Sequence, residues 1–209
     1  MTSFLNIAKT QRALWMLIGV CVVMTFASPV FLTQTNLLNV ALAVSVTALL
    51  AAGQTYVIIL AEIDLSVGAV LGFTAAVTAL TLESSSAIVA VLVGVGTGAL
   101  IGLVNGLFVT KARMPSFIVT LAMMSVLSGL TLQVTAGNPV AVDDYSFQNI
   151  GQAEFAGIPV PVCLMLIGFA VLGVLLARTR YGRFVYATGD NAESARLSGI
   201  RVDRVKITA

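Results

Sequence analysis

The chain has 209 residues, 58% of them hydrophobic and only 10% charged, with a net charge of +2 and no histidine. A soluble domain carries nearer a quarter of charged residues, so this composition and a mean hydropathy of +1.03 exclude a water-soluble monomer. They predict an integral membrane protein. The small net charge implies no nucleic-acid partner, and the lack of histidine excludes a histidine-based catalytic dyad or zinc site; no metal or cofactor is expected. The apolar runs are continuous rather than alternating, which predicts helices and not a barrel. The expected fold class is therefore all-α, a polytopic transmembrane helical bundle.

In chain order, a span needs roughly 20 apolar residues. Residues 13–31 form the first run, read as a retained anchor rather than a cleaved leader, because Pro29 follows Ala27-Ser28 and further spans come after. Residues 36–60 form the second, tinged by Ser45, Thr47, Gln54 and Thr55. A polar interruption, Glu62-Ile63-Asp64-Leu65-Ser66, separates it from residues 67–82, which are short for a crossing. Residues 87–109 and 115–132 follow, the latter with Pro115 at a first helical turn, where its missing N–H is no loss. A polar segment at 135–158 precedes the last complete span, 159–177. Cys21 and Cys163 both lie inside apolar runs and read as packing residues.

Charge sets the expected orientation. Lys9, Arg12, Lys111 and Arg113 precede a basic island at 178–206 that holds seven of the 11 Lys and Arg residues. Segment 135–158 has three acids and no basic residue. With about six spans, every basic segment falls on one side, which predicts a cytoplasmic N-terminus and island. The count requires residues 67–82 to cross as a short or tilted helix. The last residues, Val205 to Ala209, resemble the approach to another helix, so the chain is expected to be truncated at its C-terminus.

Three constellations stand out. Gly94, Gly98, Gly102 and Gly106 recur every fourth residue, a smooth stripe suited to helix packing, within one chain or between subunits. Glu62, Asp64 and Ser66 interrupt the apolar sequence; unpaired acids in lipid are costly, so they line a polar pathway or cap the helix that follows. In the island, Tyr181-Gly182-Arg183 and Gly189 read as turns. Asp190 and Glu193 resemble a capping box starting a two-turn helix at about 191–198, stopped by Gly199. Asn191 opens that helix, and Ala192, Ala195 and Gly199 would make a flat face, with Arg196 near its end. Such a knob suits docking to a soluble partner better than a lipid-surface helix, which needs a large apolar face.

At these residues the chain resembles a known family. EIDLSVG, VNGLFVTKARMPSFIVTLAMM and YGRFVYATGDNAESARLSGI, in that order, look like the permease subunits of bacterial ribose-type sugar ABC importers. One departure is Glu62, where the family more usually has Gly in a GIDLS-type motif. Another is length, since family members continue through further spans. The resemblance implies a single transmembrane permease domain over 1–209, in the bacterial inner membrane, translocating a ribose-like sugar. Its implied partners are cytoplasmic ABC ATPase subunits, a periplasmic sugar-binding protein, a second permease subunit (homo- or heterodimer) and membrane lipid.

On this reading Gln54, Glu62, Asp64, Ser66 and Asn105 line the substrate pathway. Tyr181, Gly182, Arg183, Gly189, Asn191, Ala192, Ala195, Arg196 and Gly199 form the ATPase-coupling region. The chain itself would be no enzyme. The alternative is an ion-coupled secondary carrier using Glu62 and Asp64. Ala195→Arg and Gly199→Trp are expected to abolish ATPase association.

Overall fold

The computed structural model describes residues 12–209. The chain divides into two compact units, Met1–Val44 and Ser45–Ala209. The N-terminal tail, with Lys9 and the expected cytoplasmic terminus, lies outside the described residues.

The first unit holds helix α1 (Arg12–Ala27) and the opening turns of α2 (Gln34–Ile59). α1 ends at Ala27, not at Phe31, because Pro29 disfavours a helical conformation at Ser28. The chain then re-enters helix through Thr33, whose hydroxyl oxygen accepts the Asn36 N–H at 3.4 Å, while the Asn36 amide donates to the Phe31 carbonyl at 2.8 Å.

In the second unit α2 ends at a left-handed residue, Ala61 (φ 58°), and an extended segment leads to α3 (Val67–Leu82). α4 (Ala87–Thr110) and α5 (Ser116–Val134) follow, joined by a tight turn in which Arg113 also has a positive φ of 56°. α3 packs against both of them. The Schellman-type end of α5 uses Ala136 and Gly137 (φ 50° and 71°), with the Gly137 N–H donating to the Leu132 carbonyl at 2.9 Å.

The polar segment at 135–158 has more order than its composition predicts. α6 (Tyr145–Gln152) starts at Asp144, whose carboxylate accepts the Phe147 N–H at 2.7 Å. A two-residue turn at Ala156-Gly157, both with positive φ, then pairs β1 (Glu154–Phe155) with β2 (Ile158–Pro159), antiparallel, Glu154 opposite Pro159.

α7 (Val160–Arg178) carries Pro161 in its first turn. α8 (Arg180–Asp190), α9 (Ala192–Leu197) and α10 (Val202–Thr208) complete the chain.

Among the described residues, four helices are long and apolar enough to cross a membrane: α2, α4, α5 and α7. Two shorter apolar helices, Ala13–Ala27 and Val67–Leu82, complete the six apolar runs. The 16 residues of α3 rise about 24 Å, less than a hydrocarbon core of about 30 Å. Large apolar side chains stay exposed on several sides of these helices, including Leu92, Val95, Leu164 and Ile167. That surface suits lipid or further helices, not water.

The island differs from its predicted form. Tyr181-Gly182-Arg183 and Gly189 are not turns; they lie within α8, an amphipathic helix capped by Thr179, whose hydroxyl accepts the Gly182 N–H at 3.2 Å. Asp190 is the last residue of α8 and does not cap α9. Asn191 does, its side-chain oxygen accepting the Ser194 N–H at 2.9 Å. Gly199 (φ 84°) follows α9 in the left-handed conformation that a side chain disfavours.

Candidate substrate cavity and coupling surface

The break between α2 and α3 is held from three sides. Asp64 Oδ1 accepts the Ser66 N–H at 2.7 Å and the Ser66 hydroxyl at 2.6 Å, turning the chain into α3. Gln54 Nε2 donates to the Asp64 carbonyl at 2.6 Å. From α5, Thr120 Oγ1 accepts the Leu65 N–H at 3.1 Å and Ser116 Oγ accepts the Ile63 N–H at 3.1 Å. An extended segment has no helical partners for its backbone, so these hydroxyls take the place of a neighbouring strand. Ser116 and Thr120 were not singled out in the sequence. Their spacing, four residues apart directly after Pro115, was the available signal.

Ser66 is fully buried, and its hydroxyl proton goes to Asp64, so its oxygen accepts from Asn105 Nδ2 at 3.2 Å. That fixes the Asn105 amide. Its Oδ1 is then buried without a hydrogen-bond partner from the protein, an acceptor that calls for a donor from water or a solute. Gln54, Asp64, Ser66 and Asn105 thus form one connected polar node. Glu62 does not join it. Its carboxylate pairs with the Lys206 ammonium of α10, both side chains about four-fifths buried, at 20% and 23% exposure.

Asp64, Ser66 and Asn105 border a cavity of about 1060 Å³ between α3, α4 and α5. Thr74, Thr78 and Thr131 also line it, each donating its hydroxyl to a carbonyl one turn back in its own helix. The walls therefore offer acceptor oxygens and methyl groups. The rest of the lining is mainly apolar, with Val67, Val70, Leu71, Val91 and Val95 among it.

The glycine stripe divides its work. A Cβ at Gly94 would lie 2.2 Å from Thr78 Oγ1, and one at Gly98 would touch the Thr74 methyl at 3.6 Å, so both let α4 approach α3. Gly106 admits α10, whose Ile207 Cα would lie 3.0 Å from an added Cβ. Gly102 has nothing within 4 Å and borders the cavity. Bulk at Gly102 would intrude on the cavity without disturbing a packed contact.

The island is anchored to the end of α2. Tyr56, Leu60, Val185 and Val205 form a buried cluster, with Tyr181 and Ile200 packed on it. Tyr181 stacks on Tyr56 with ring centroids 6.1 Å apart, and the Tyr56 hydroxyl donates to the Leu172 carbonyl at 2.5 Å. Gly182 and Gly189 are close approaches, where an added Cβ would lie 1.9 Å from the Leu176 carbonyl oxygen and 1.8 Å from that of Ile59.

Ala195 is buried and packs inward, so it does not join Ala192 and Gly199 in one free face. Arg183, Asn191 and Arg196 are exposed. The island's most exposed large apolar side chain is Leu197, at 82%, which the sequence reading had passed over.

The chain matches the family described as "Branched-chain amino acid transport system / permease component" over residues 36–209. It is 42% identical over 189 residues to the ribose import permease protein RbsC of Bacillus subtilis (strain 168), covering 89% of this chain and 59% of that protein. Against the ribose import permease protein RbsC of Escherichia coli (strain K12) the identity is 40% over 204 residues, covering 94% and 63%. Against the D-allose transport system permease protein AlsC of Escherichia coli (strain K12) it is 39% over 174 residues, covering 82% and 53%. The chain thus spans about three fifths of the length of the two ribose permeases. No solved structure gives a significant match.

Proposed function

This chain belongs to the permease-component family of branched-chain amino acid transport systems, and from that premise we propose that it is the membrane-spanning permease subunit of a sugar ABC importer in the bacterial inner membrane. Permease proteins for ribose import and D-allose transport are its relatives at about 40% identity. The observation that carries the sugar reading here is the buried Asn105 Oδ1, unpartnered within the protein, beside a cavity whose mainly apolar wall also holds the hydroxyl groups of Ser66, Thr74, Thr78 and Thr131. A sugar hydroxyl supplies the donor that this acceptor lacks. A branched-chain amino acid carries paired charges, and the residues lining the cavity include no Lys or Arg for its carboxylate, while Asp64 is already engaged by Ser66.

An ion-coupled carrier is less well supported. It needs carboxylates free to bind and release a cation, whereas Glu62 is paired with Lys206 and Asp64 is committed to Ser66. ATP hydrolysis falls to separate cytoplasmic subunits, sugar delivery to a periplasmic binding protein, and a second permease subunit completes the pathway.

α9 then serves as the helix that enters the ATPase cleft. Leu197 is 82% exposed on a short, capped, otherwise polar helix and offers apolar surface for the buried core of an interface, so Leu197 replaces Ala195 and Gly199 as the residue to test. Ala195→Arg and Gly199→Trp would disturb the island itself, one through burial and the other through its backbone conformation. Leu197→Asp is expected to lower ATPase co-purification from native membranes at least about tenfold, with membrane insertion unchanged. Undiminished association would remove α9 from the coupling surface. Transport driven by an ion gradient alone, with no ATPase subunit present, would overturn the importer assignment.

For the cavity, Asn105→Leu is expected to reduce uptake of labelled sugar strongly while ATPase association persists. If sugar uptake is unchanged, the pathway does not run past Asn105.

A further inference from the structure

Beside the coupling helix, the turn between α4 and α5 faces α9 and α10 across a cleft of about 930 Å³. Six cations border it (Lys111, Arg113, Arg196, Arg201, Arg204 and Lys206) against two carboxylates, Glu62 and Asp203. Both carboxylates are already engaged. Glu62 pairs with Lys206, and Asp203 is shared by Lys111 at 2.7 Å and Arg196 at 3.8 Å. The Lys111 hydrogen bond holds the Asp203 carboxyl below its usual range, with Arg196 and Arg113 adding to the effect. Among the described residues, Arg113, Arg201 and Arg204 have no carboxylate within ion-pair distance.

An excess of positive charge gathered in one concavity raises its own energy unless an anion shares it. Arg113 is brought to this cleft by a left-handed backbone conformation that its side chain disfavours. The cleft is also amphiphilic, since Val109, Met114 and Pro115, at the facing ends of α4 and α5, form an apolar part of its wall. Because α4 and α5 are both long enough to span a bilayer, the turn joining them lies at the depth of the lipid headgroups. Leu197 is outside this cleft, although Ala192 and Arg196 of α9 border it.

We propose that this cleft binds the phosphate group of an anionic phospholipid, with Arg113, Arg201 and Arg204 as its ligating side chains and Val109, Met114 and Pro115 against the first part of an acyl chain. Basic pockets beside membrane helices are suited to such headgroups. The site does not depend on which solute the permease carries.

The test uses the whole chain, purified in a neutral detergent, with lipid retention read by native mass spectrometry and thermal stability read in parallel. Phosphatidylglycerol is expected to be retained at about one per chain and at least about tenfold more tightly than phosphatidylcholine. Arg201→Gln/Arg204→Gln should lower that retention about tenfold or more, whereas Arg201→Lys/Arg204→Lys should keep most of it. Arg178→Gln/Arg180→Gln removes the same charge outside the cleft and should change nothing. If the first glutamine pair prevents folding, Arg113→Gln alone carries the same comparison.

Equal loss from the two glutamine pairs would reduce the cleft to general surface charge and overturn the proposal. Equal retention of phosphatidylcholine would do the same. Stabilisation by inorganic phosphate as large as that by phosphatidylglycerol would make this a site for a free anion, not a lipid. Loss of ATPase association, with lipid retention intact, would assign the cleft to the protein partner instead.

Discussion

Gly189→Ala is expected to destabilise the packing of the island on α2, although alanine is the better helix former. The substitution should favour α8 by about 1 kcal/mol on intrinsic propensity. Against this stands a steric conflict with backbone: the new methyl would meet the Ile59 carbonyl oxygen at 1.8 Å, its carbon at 2.8 Å and Leu60 Cα at 3.3 Å. A flexible side chain could swing away, but the end of α2 cannot, because Leu60 belongs to the buried cluster with Tyr56, Val185 and Val205. Overpacking of this kind costs about 1–3 kcal/mol and sometimes more; contact with rigid backbone puts Gly189→Ala at about 3 kcal/mol or above.

The measurement is proteolytic susceptibility and amide exchange across α8–α10. Both should rise sharply, while the membrane helices keep their protection. A stabilised Gly189→Ala protein would mean that propensity outweighs the contact, and that α8 does not approach α2 this closely. Gly182→Ala should behave in the same way against the Leu176 carbonyl.

The second large effect is expected at the Glu62–Lys206 pair. Removing one partner of a buried pair leaves the other without compensation, at about 3–5 kcal/mol for full burial. With the two side chains still a fifth or so exposed, Lys206→Met should cost about 2–3 kcal/mol. Glu62→Leu combined with Lys206→Met should recover most of that loss, because replacing both charges by apolar groups is often close to neutral. Thermal unfolding of the two single variants and the double variant completes the cycle, and additive losses would show that the two residues are not coupled. Salt should matter little, since partial burial limits screening.

This pair also gives Glu62 a structural role that the sequence did not suggest. The turn itself is made by Ala61, which has the positive φ. Glu62 serves instead as a contact for α10, two residues before the Asp64 that borders the cavity. Glycine at this position could form the turn, but not the ion pair.

Part of the candidate site was legible because its signals are local. Polar residues inside apolar runs are expensive in lipid, so Gln54, Asp64, Ser66 and Asn105 were conspicuous, and the structure brings them into one node. The same reasoning grouped Glu62 with them on chain proximity alone, and its side chain turns to Lys206 instead. In the island, Gly182 and Gly189 read as turns because glycine in a polar stretch usually marks one. Here they are the two points where α8 passes directly against backbone. A glycine needed for its conformation and a glycine needed for its size look alike in a sequence. Ala195 was equally ambiguous, since a small residue serves a free face or a buried one, and only its inward packing distinguishes them.

By itself the sequence determined the membrane character, the approximate extent of the six apolar runs, the break at Glu62–Ser66 and the stop at Gly199. Hydropathy, proline, glycine and charge act over a few residues, and their effects survive without knowledge of what lies alongside. The tertiary structure alone decided which glycines are contacts, which hydroxyls hold the broken segment, and which cation answers Glu62. Lys206 stands 144 residues further along the chain, and over that separation no local periodicity or propensity identifies a partner. Packing of α10 against α4 brings them together, and the surrounding low dielectric makes the pairing matter.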